Sequence, residues 1–261
     1  MLRRIVFILL IITISLSCCR VGNTRRKFSG QERIVRVELP SVTHDEQVID
    51  HIGYTTSYNS NTLNPNWVAY ELTSWELQGE SKGKNSFCWD PLVKGRKSNR
   101  EDYKNNLDWD KGHMAPKADM KWSIQAYEES FYLSNICPQN HQLNAGDWLK
   151  TENLARRIAE ENTKIYIVCG PVFKDRKFGT LGENNVWIPD GFFKALLVFS
   201  GTTYESIGFY MSNEPQKNNL RSYVTTVDDI EKLISRDLFI SLEDKLEDVV
   251  EGRVNYSFWG I

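Results

Sequence analysis

The stretch Asp108-Trp109-Asp110-Lys111-Gly112-His113-Met114-Ala115-Pro116 crowds polar and charged side chains around one histidine. His113 follows a glycine on an element between two acidic positions. This placement predicts that a hydrogen bond fixes one ring nitrogen while the other nitrogen faces a cleft. A lone histidine is more often a surface or core residue than a catalytic one. Whether His113 is interpreted as catalytic therefore depends on the residues that follow it.

Two amides and a carboxylate follow this histidine along the chain. They are Asn135, Asn144 and Glu152. Mg²⁺ prefers oxygen ligands and is commonly held by one or two protein oxygens plus substrate phosphate, so an amide oxygen and a carboxylate would suit it. A zinc site built from His113, Cys137 and His141 is disfavoured, because no second pair of ligands stands at zinc-ligand spacing. The residue types thus favour a hard divalent cation.

The spacing of apolar residues predicts one mixed α+β domain. Asn144 to Ile158 carries an apolar stripe at helical spacing, so Asn144, Trp148 and Glu152 are expected on one helix face. Further helices are predicted at 125–131 and 227–246. Short β-prone runs stand at 67–72 and 87–89, and strands of a central sheet are predicted at 164–168, 185–188, 193–199 and 203–210.

Composition limits the classes of function. The 261-residue chain is 41% hydrophobic and 12% aromatic, which is enough for a globular core. Its net charge of −2 argues against a nucleic-acid binder that works by bulk positive charge. The charge is unevenly spread, however, because a basic stretch surrounds His113. Its cations are Lys82, Lys84, Lys94, Arg96, Lys97, Arg100, Lys104, Lys111, Lys117 and Lys121. Such a run is either a solvated face or a grip on a phosphate backbone.

Residues 1–19 have the character of an export signal. Two arginines precede an apolar run shorter than the roughly twenty residues that cross a bilayer, which favours a cleaved signal over an anchor. The ending Leu16-Ser17-Cys18-Cys19 resembles the lipobox of bacterial lipoproteins, in which the cysteine after the cut is acylated. Lipid attachment and plain secretion both stay open. A secreted, periplasmic or lipid-anchored protein of the bacterial cell envelope is expected, with 20–50 as a linker and 51–261 as the folded domain.

The cysteines that remain after export would be Cys88, Cys137 and Cys169. An odd number without Cys-x-x-Cys spacing predicts no disulfide framework, although export permits one bridge. Cys169 lies in an apolar run and is expected to be a buried free thiol.

Taken together, these motifs resemble the DNA/RNA non-specific endonucleases. This family includes secreted bacterial nucleases and mitochondrial endonuclease G, and its members share the ββα-metal, or His-Me, finger. The family signature is Asp-Arg-Gly-His with Ala-Pro, then Ser-Asn-x-x-Pro-Gln and Asn-x-x-x-Trp-x-x-x-Glu. The matching residues here are Asp110-Lys111-Gly112-His113-Met114-Ala115-Pro116, Ser134-Asn135-Ile136-Cys137-Pro138-Gln139, Asn144, Trp148 and Glu152. Later blocks also match, at Gly170-Pro171-Val172-Phe173, Ile188-Pro189 and Phe193-Lys194.

The resemblance implies an α+β fold with a central, mainly antiparallel sheet flanked by helices. It implies that His113 is the general base that activates water and that Asn144 binds the ion. Glu152 would hold the hydrated metal and Asn135 would orient the site. The implied cofactor is Mg²⁺ or a similar ion such as Mn²⁺, and the implied substrates are DNA and RNA, cut internally to leave 5′ phosphates. A histidine with an unperturbed pKa near 6.5 suits the role of base.

Two departures from the family pattern bear on activity. Lys111 replaces the usual arginine of the signature and is expected to be one of the catalytic residues. The positive charge is kept, but a lysine cannot donate the two parallel hydrogen bonds of a guanidinium group. An upstream arginine of the family is also missing, and only Lys82 and Lys84 stand near its place. Reduced activity is expected. Two alternatives therefore stay open: a catalytically weakened nucleic-acid-binding surface lipoprotein, and a metal phosphodiesterase for small nucleotides. The oligomeric state, including a homodimer, also stays open.

Overall fold

The structure, a computed structural model, describes residues 36–104 and 106–261. The predicted export signal, with Cys18 and Cys19, lies outside the described residues, as does the first part of the predicted linker. Within the described ranges, no helix has both the length and the apolar character needed to span a bilayer.

A seven-stranded antiparallel sheet forms the centre of the fold, with the strand order β1-β2-β3-β6-β9-β10-β11. Two short ribbons, β4-β5 and β7-β8, lie outside it. The strands are β1 Gln47–Asp50, β2 Thr55–Asn59, β3 Asn64–Thr73, β4 Trp109–His113, β5 Ile136–Asn140, β6 Lys164–Val172, β7 Thr180–Leu181, β8 Val186–Trp187, β9 Gly191–Phe199, β10 Tyr204–Ser212 and β11 Val224–Thr225. The α+β class with a central antiparallel sheet is confirmed.

Helices cover both faces of this sheet. They are α1 Ile124–Glu129, α2 His141–Leu143, α3 Leu149–Asn162, α4 Val227–Ile234, α5 Asp244–Glu251 and α6 Tyr256–Trp259. Short 3₁₀ turns lie at Glu76–Gln78, Arg100–Tyr103, Leu133–Asn135 and Leu220–Tyr223. Side chains alternate along a strand, so β9 sends Leu196 to the core shared with α3 and Leu197 to the core shared with α4 and α5. Both faces of β9 are thus buried, which explains its continuous apolar sequence.

The β4-β5 ribbon and helix α3 together carry the residues of the signature. The two strands pair antiparallel, with Gly112 opposite Cys137 and His113 opposite Ile136. A side chain at Gly112 would collide with the buried side chain of Gln139 on β5. The glycine of the signature is therefore required by this close approach.

The folded body begins earlier than the sequence predicted. Gln47–Asp50, assigned to the linker 20–50, forms edge strand β1 and pairs with β2. Arg36 contacts Glu38 and lies 2.6 Å from Asp50, so the described part of the predicted linker belongs to the domain. The linker prediction is wrong from residue 36 onward, because a strand of four residues shows too little periodicity to be recognised.

Three other predicted elements differ from the structure. Within 185–188 only Val186–Trp187 is a strand, and it pairs with β7 outside the central sheet. The run 87–89 makes only an isolated bridge, between Cys88 and Tyr132. The predicted helix 227–246 is interrupted after Ile234, where Ser235 adopts a left-handed conformation that ends α4.

Candidate active site

Asp110 on β4 orients the amide of Asn144. The Nδ2 atom of Asn144 donates a hydrogen bond of 2.9 Å to Oδ2 of Asp110. Nδ1 of His141 lies 2.9 Å from the same oxygen. Because the amide nitrogen is bound to the carboxylate, the carbonyl oxygen of Asn144 is the atom left for another ligand. Asp110 was quoted as part of the motif, but the sequence assigned it no role.

His113 is held by aromatic rings rather than by a hydrogen bond. Its ring centroid lies 5.4 Å from that of Phe87 and 5.3 Å from that of Phe131. Nε2 is buried without a hydrogen-bond partner among the described residues. The expectation that a hydrogen bond fixes the ring is wrong, because packing against these two rings restrains it instead.

Burial, with a smaller contribution from the charge of Lys117, lowers the pKa of His113 from 6.5 to about 3. The imidazole is therefore neutral throughout the physiological range. It is also a weaker base than the unperturbed group that the sequence predicted, because protonating it would place a charge among apolar rings without a partner.

The backbone around His113 is anchored from two directions. Nε1 of Trp148 donates to the carbonyl oxygen of His113 at 3.4 Å. The backbone N–H of Met114 donates to the carbonyl oxygen of Asn135 at 2.9 Å. The segments of the signature that contain Asn135 and Trp148 therefore both bind the backbone at or next to His113.

The side chain of Asn135 is fully buried and fully occupied. Its Oδ1 accepts from the N–H of Ala115 at 2.8 Å, and its Nδ2 donates to the carbonyl oxygens of Ala115 and Ser130, each at 2.8 Å. No hydrogen atom of this amide is left for a substrate. Asn135, predicted among the catalytic residues, is therefore a positioning residue that holds the loop after His113.

Residues 144–148 form a π-helical turn that leads directly into α3. The one-face prediction for Asn144, Trp148 and Glu152 assumed regular α-helical spacing, whereas a π turn is wider and changes the phase of the helix. Trp148 is fully buried on the core side. Glu152 follows on the first turn of α3.

Glu152 lies in a buried group of opposite charges. Burial raises the pKa of Glu152 to about 7; Lys194 and Arg156 lower it and Asp119 raises it. Nη2 of Arg156 is 3.7 Å from Oε2 of Glu152, and its Nη1 is 2.6 Å from Oδ1 of Asp119. Glu152 makes no hydrogen bond with the described residues, so its oxygens can accept a ligand.

Lysines flank the aromatic rings that enclose His113. Nζ of Lys111 lies 5.5 Å from the Phe87 ring centroid and 5.2 Å from that of Tyr103. Nζ of Lys117 lies 6.0 Å from the Phe131 ring centroid. Burial lowers the pKa of Lys111, whose ammonium group is half-buried. Lys111 was a predicted site residue, whereas Lys117 was only one member of the basic stretch.

The cations Lys117, Arg156 and Lys194 were not recognised from the sequence as parts of a site. Lys194 is fully buried on β9, and its Nζ lies 4.1 Å from the Trp148 ring centroid, without a hydrogen bond to the described residues. A lysine inside an apolar strand and an arginine four positions after Glu152 were the available signals. Lys84, proposed near the place of the missing arginine, is exposed, and its backbone N–H donates to Glu128.

The donor atoms fit a hard divalent cation. An amide oxygen is left free by the hydrogen bond to Asp110, and Glu152 offers a carboxylate without a hydrogen-bond donor. Asn144 and Glu152 thus offer oxygen ligands of the type that Mg²⁺ prefers. The thiols of Cys88, Cys137 and Cys169 are free, and Cys169 is buried with its Sγ 3.3 Å from the carbonyl oxygen of Met114, as a core thiol.

Comparison with known proteins identifies relatives along most of the chain. The family model described as DNA/RNA non-specific endonuclease matches residues 32–248. Mitochondrial nuclease EXOG of Danio rerio is 32% identical over 198 residues, which cover 70% of this chain and 57% of that protein. Mitochondrial endonuclease G of Bos taurus is 28% identical over 219 residues, covering 78% and 71%. A protein named nuclease from Nostoc sp. is 27% identical over 228 residues, covering 82% and 81%.

This chain thus spans little more than half the length of the Danio rerio relative. A solved structure gives the same fold. A chain in the crystal structure of the EndoG/EndoGI complex superposes with a TM-score of 0.71 at 23% identity, covering 80% of this chain and 91% of that chain.

Proposed function

Because the chain belongs to the DNA/RNA non-specific endonuclease family, we propose that it is a metal-dependent endonuclease that hydrolyses phosphodiester bonds in DNA and RNA. One observation carries this proposal. A neutral imidazole without a hydrogen bond, His113, shares a ribbon with Asp110, which binds the amide nitrogen of Asn144 and leaves its oxygen free. A proton acceptor and a ligand for a cation are thereby built on one pair of strands and the helix that follows.

His113 accepts the proton of the attacking water. Its pKa in the free protein is low because of burial, but an anionic phosphate beside the ring favours the charged imidazolium and raises the pKa when substrate binds. Trp148 and Asn135 keep the ring in place by binding the backbone at and after His113. General-base catalysis of this kind is worth roughly 10²- to 10⁴-fold.

Asn144 and Glu152 hold the divalent cation, with Mg²⁺ as the expected ion. When bound, the cation supplies Lewis-acid stabilisation of the charge that develops on the phosphate and the departing oxygen. Asp110 orients the amide of Asn144, and Arg156 with Lys194 compensates the buried charge of Glu152. Lys111 and Lys117 attract the phosphate from the two sides of the aromatic enclosure.

Recognition is expected to be independent of base sequence. The residues of the candidate site address phosphate, and phosphate contacts carry no sequence information. The basic stretch from Lys94 to Lys121 would grip the backbone, so binding should weaken steeply as salt is added. DNA and RNA are both expected substrates, because both have the phosphate backbone that these residues address.

Plasmid DNA and single-stranded RNA, incubated with the purified chain in Mg²⁺ or in chelator, test this proposal. Both substrates are expected to be degraded to a smear only when the metal is present. His113→Ala should lose this cleavage activity, and the control His44→Ala, which removes an exposed histidine, should keep it. Retention on a gel without cleavage would instead favour the nucleic-acid-binding lipoprotein. Turnover confined to esters of mononucleotides would favour the small-nucleotide phosphodiesterase.

Export of the chain is a separate proposal, supported by the apolar character of residues 1–19. Mass spectrometry of the N-terminus after expression in a bacterial host would test it. Cleavage before Cys18 or Cys19 with a mass increase of acyl chains supports a lipid anchor, and cleavage without that increase supports secretion. An intact Met1 contradicts both.

A further inference from the structure

A second group of carboxylates lies on the sheet face opposite the ββα motif. Helices α4 and α5 pack against this face, in the core formed by Val227, Ile230 and Val250. The five carboxylates that line the junction of these helices are Asp228, Glu231, Asp237, Glu247 and Glu251. We call them the C-terminal acidic cluster. None of them belongs to the signature or to the candidate active site.

The oxygens of this cluster converge at close range. One oxygen from each of Asp228, Glu231 and Glu251 can be chosen so that all lie within 4.8 Å of one another. The same holds for Glu231, Asp237 and Glu247. Like charges at these distances repel, so a group of this kind needs positive charge between its members.

Glu251 shows that this need is not met by the protein itself. Glu251 is only 1% exposed. Its Oε1 atom is buried and accepts no hydrogen bond from the described residues. An unpaired carboxylate oxygen in such a place is costly unless a cation or a proton accompanies it. Burial, the charges of Glu231, Glu247 and Asp228, and a hydrogen bond shared with Glu231 together raise the pKa of Glu251 to about 10.

Two basic side chains of this segment are paired with other carboxylates. Lys232 bonds to Asp229, and Arg236 pairs with Glu46 on the other side of its segment. Among the described residues, no lysine, arginine or histidine forms an ion pair with the five carboxylates. Glu231 is also fixed in place, since its Oε1 accepts from the N–H of Leu238 at 2.6 Å.

We propose that Asp228, Glu231 and Glu251 bind a structural divalent cation of the size of calcium, independent of the catalytic ion. Two oxygens on opposite sides of Ca²⁺ are about 4.6–5.2 Å apart, since each lies 2.3–2.6 Å from the ion. In the cluster the separations do not exceed 4.8 Å, so all three oxygens can reach one ion of this size. Ca²⁺ accepts several carboxylates with flexible geometry, whereas Mg²⁺ usually takes one or two and keeps its waters.

The ion would fasten α5 to α4 and both helices to the sheet. Asp228 and Glu231 come from α4, and Glu251 is the last residue of α5. The residue before it, Val250, accepts a hydrogen bond of 2.8 Å from Ser206 on β10. Binding at this junction would therefore stabilise the C-terminal part of the fold without touching the residues that face nucleic acid.

Thermal unfolding of the chelator-treated chain, with and without CaCl₂, tests the site. The variant Asn144→Ala serves as the background, so that binding at the candidate active site does not contribute. Calcium at a hundredfold excess over Kd is expected to raise Tm by roughly 5–10 °C. Calorimetric titration of the same background with CaCl₂ should give one binding event. Glu251→Gln should abolish both effects, and in chelator its Tm should stay close to that of its background, because a carboxyl with so high a pKa is already protonated when no cation is bound.

The matched control is Glu243→Gln, which changes an exposed carboxylate just before α5 that makes no capping hydrogen bond. It should keep the response to calcium. Asp228→Asn provides a second, less buried test should Glu251→Gln fail to fold. A Tm that does not respond to calcium, or a response that survives Glu251→Gln or Asp228→Asn, would overturn the proposal and leave shared protons as the counter-charge. Plasmid cleavage in Mg²⁺ by Glu251→Gln in the otherwise native chain should remain unchanged.

Discussion

The two faces of the sheet both bury carboxylates, but they neutralise them differently. On the face of α3, Asp119 and Glu152 lie beside Arg156, and Lys194 contributes positive charge from the core. On the face of α4 and α5, the acidic side chains face one another and form no ion pair with any residue that the structure describes. A buried charge has to be matched locally. The first face has lysine and arginine side chains beside its carboxylates, whereas the second would take a cation from solution under the proposal above.

The two proposed cation sites would also serve different purposes, one chemistry and the other stability. The signature region offers one amide and one carboxylate oxygen, so its cation would keep coordination positions for water and phosphate. The C-terminal acidic cluster offers three carboxylates at once and would leave fewer positions open. Substitutions on the two faces should therefore change different measured quantities.

The largest effect is expected at His113. Removal of its imidazole in His113→Ala should lower kcat for plasmid cleavage by roughly 10²- to 10⁴-fold, because no other described base replaces it. Loss of the ring also leaves a cavity beside Phe87 and Phe131, so the thermal midpoint should fall as well, and kcat is compared at a temperature at which both proteins are folded. Gel-based kinetics with saturating Mg²⁺ measure the loss. A variant with full turnover would remove His113 from the mechanism.

The second largest effect is expected from removing Arg156, which lies beside the carboxylates of Asp119 and Glu152. Arg156→Ala should lower the free energy of unfolding by about 3–5 kcal/mol, because the buried charge of Asp119 is left unpaired. Arg100→Ala removes an arginine from an exposed pair with Glu101 and should cost about 1 kcal/mol or less. Urea denaturation compares the two. Equal losses would contradict a buried charge balance on this face.

The dependence of cleavage on pH tests whether Glu152 has to be ionised for activity. Burial raises the pKa of Glu152 to about 7, so the carboxylate that holds a cation is lost as pH falls below that value. At limiting Mg²⁺, activity should therefore fall on the acid side with a midpoint near pH 7. Raising Mg²⁺ should move this midpoint to lower pH, since a cation stabilises the charged form.

His113 does not account for this acid limb. Its pKa is lowered to about 3 by burial, so in the free protein it stays neutral throughout the measured range. The residual activity of Glu152→Gln should lack the limb. A limb that persists in Glu152→Gln, or a midpoint that ignores Mg²⁺, would assign the titration to another group.

The smallest effect is expected from restoring the arginine of the signature. Lys111→Arg regains a fork that can bind a phosphate through two hydrogen bonds and can stack on Phe87 and Tyr103. Turnover should rise roughly 2- to 10-fold, on the scale of one charge-assisted hydrogen bond. Lys104→Arg, at an exposed position in the same basic stretch, serves as the control. Unchanged turnover in Lys111→Arg would show that its ammonium group is not limiting.

Much of the fold could be predicted from local pattern. Strands β6, β9 and β10 and helix α3 have long periodic or apolar runs, and the structure confirms them. Strands β1, β2, β4 and β5 escaped recognition, because they are short and gain their order from partners distant in sequence. The predicted strand 185–188 was shortened and displaced to a separate ribbon for the same reason.

The sequence by itself determined the family and the order of the signature residues, because those residues are close together in the chain and chemically distinctive. Only the tertiary structure decided their environment. Phe87 and Phe131, from separate segments, enclose His113, and this burial lowers its pKa. Lys194, on strand β9, places its Nζ atom against the ring of Trp148. The acidic cluster likewise exists only where α4 meets α5. Burial and electrostatic interaction act through space, so neither can be read from positions along the chain.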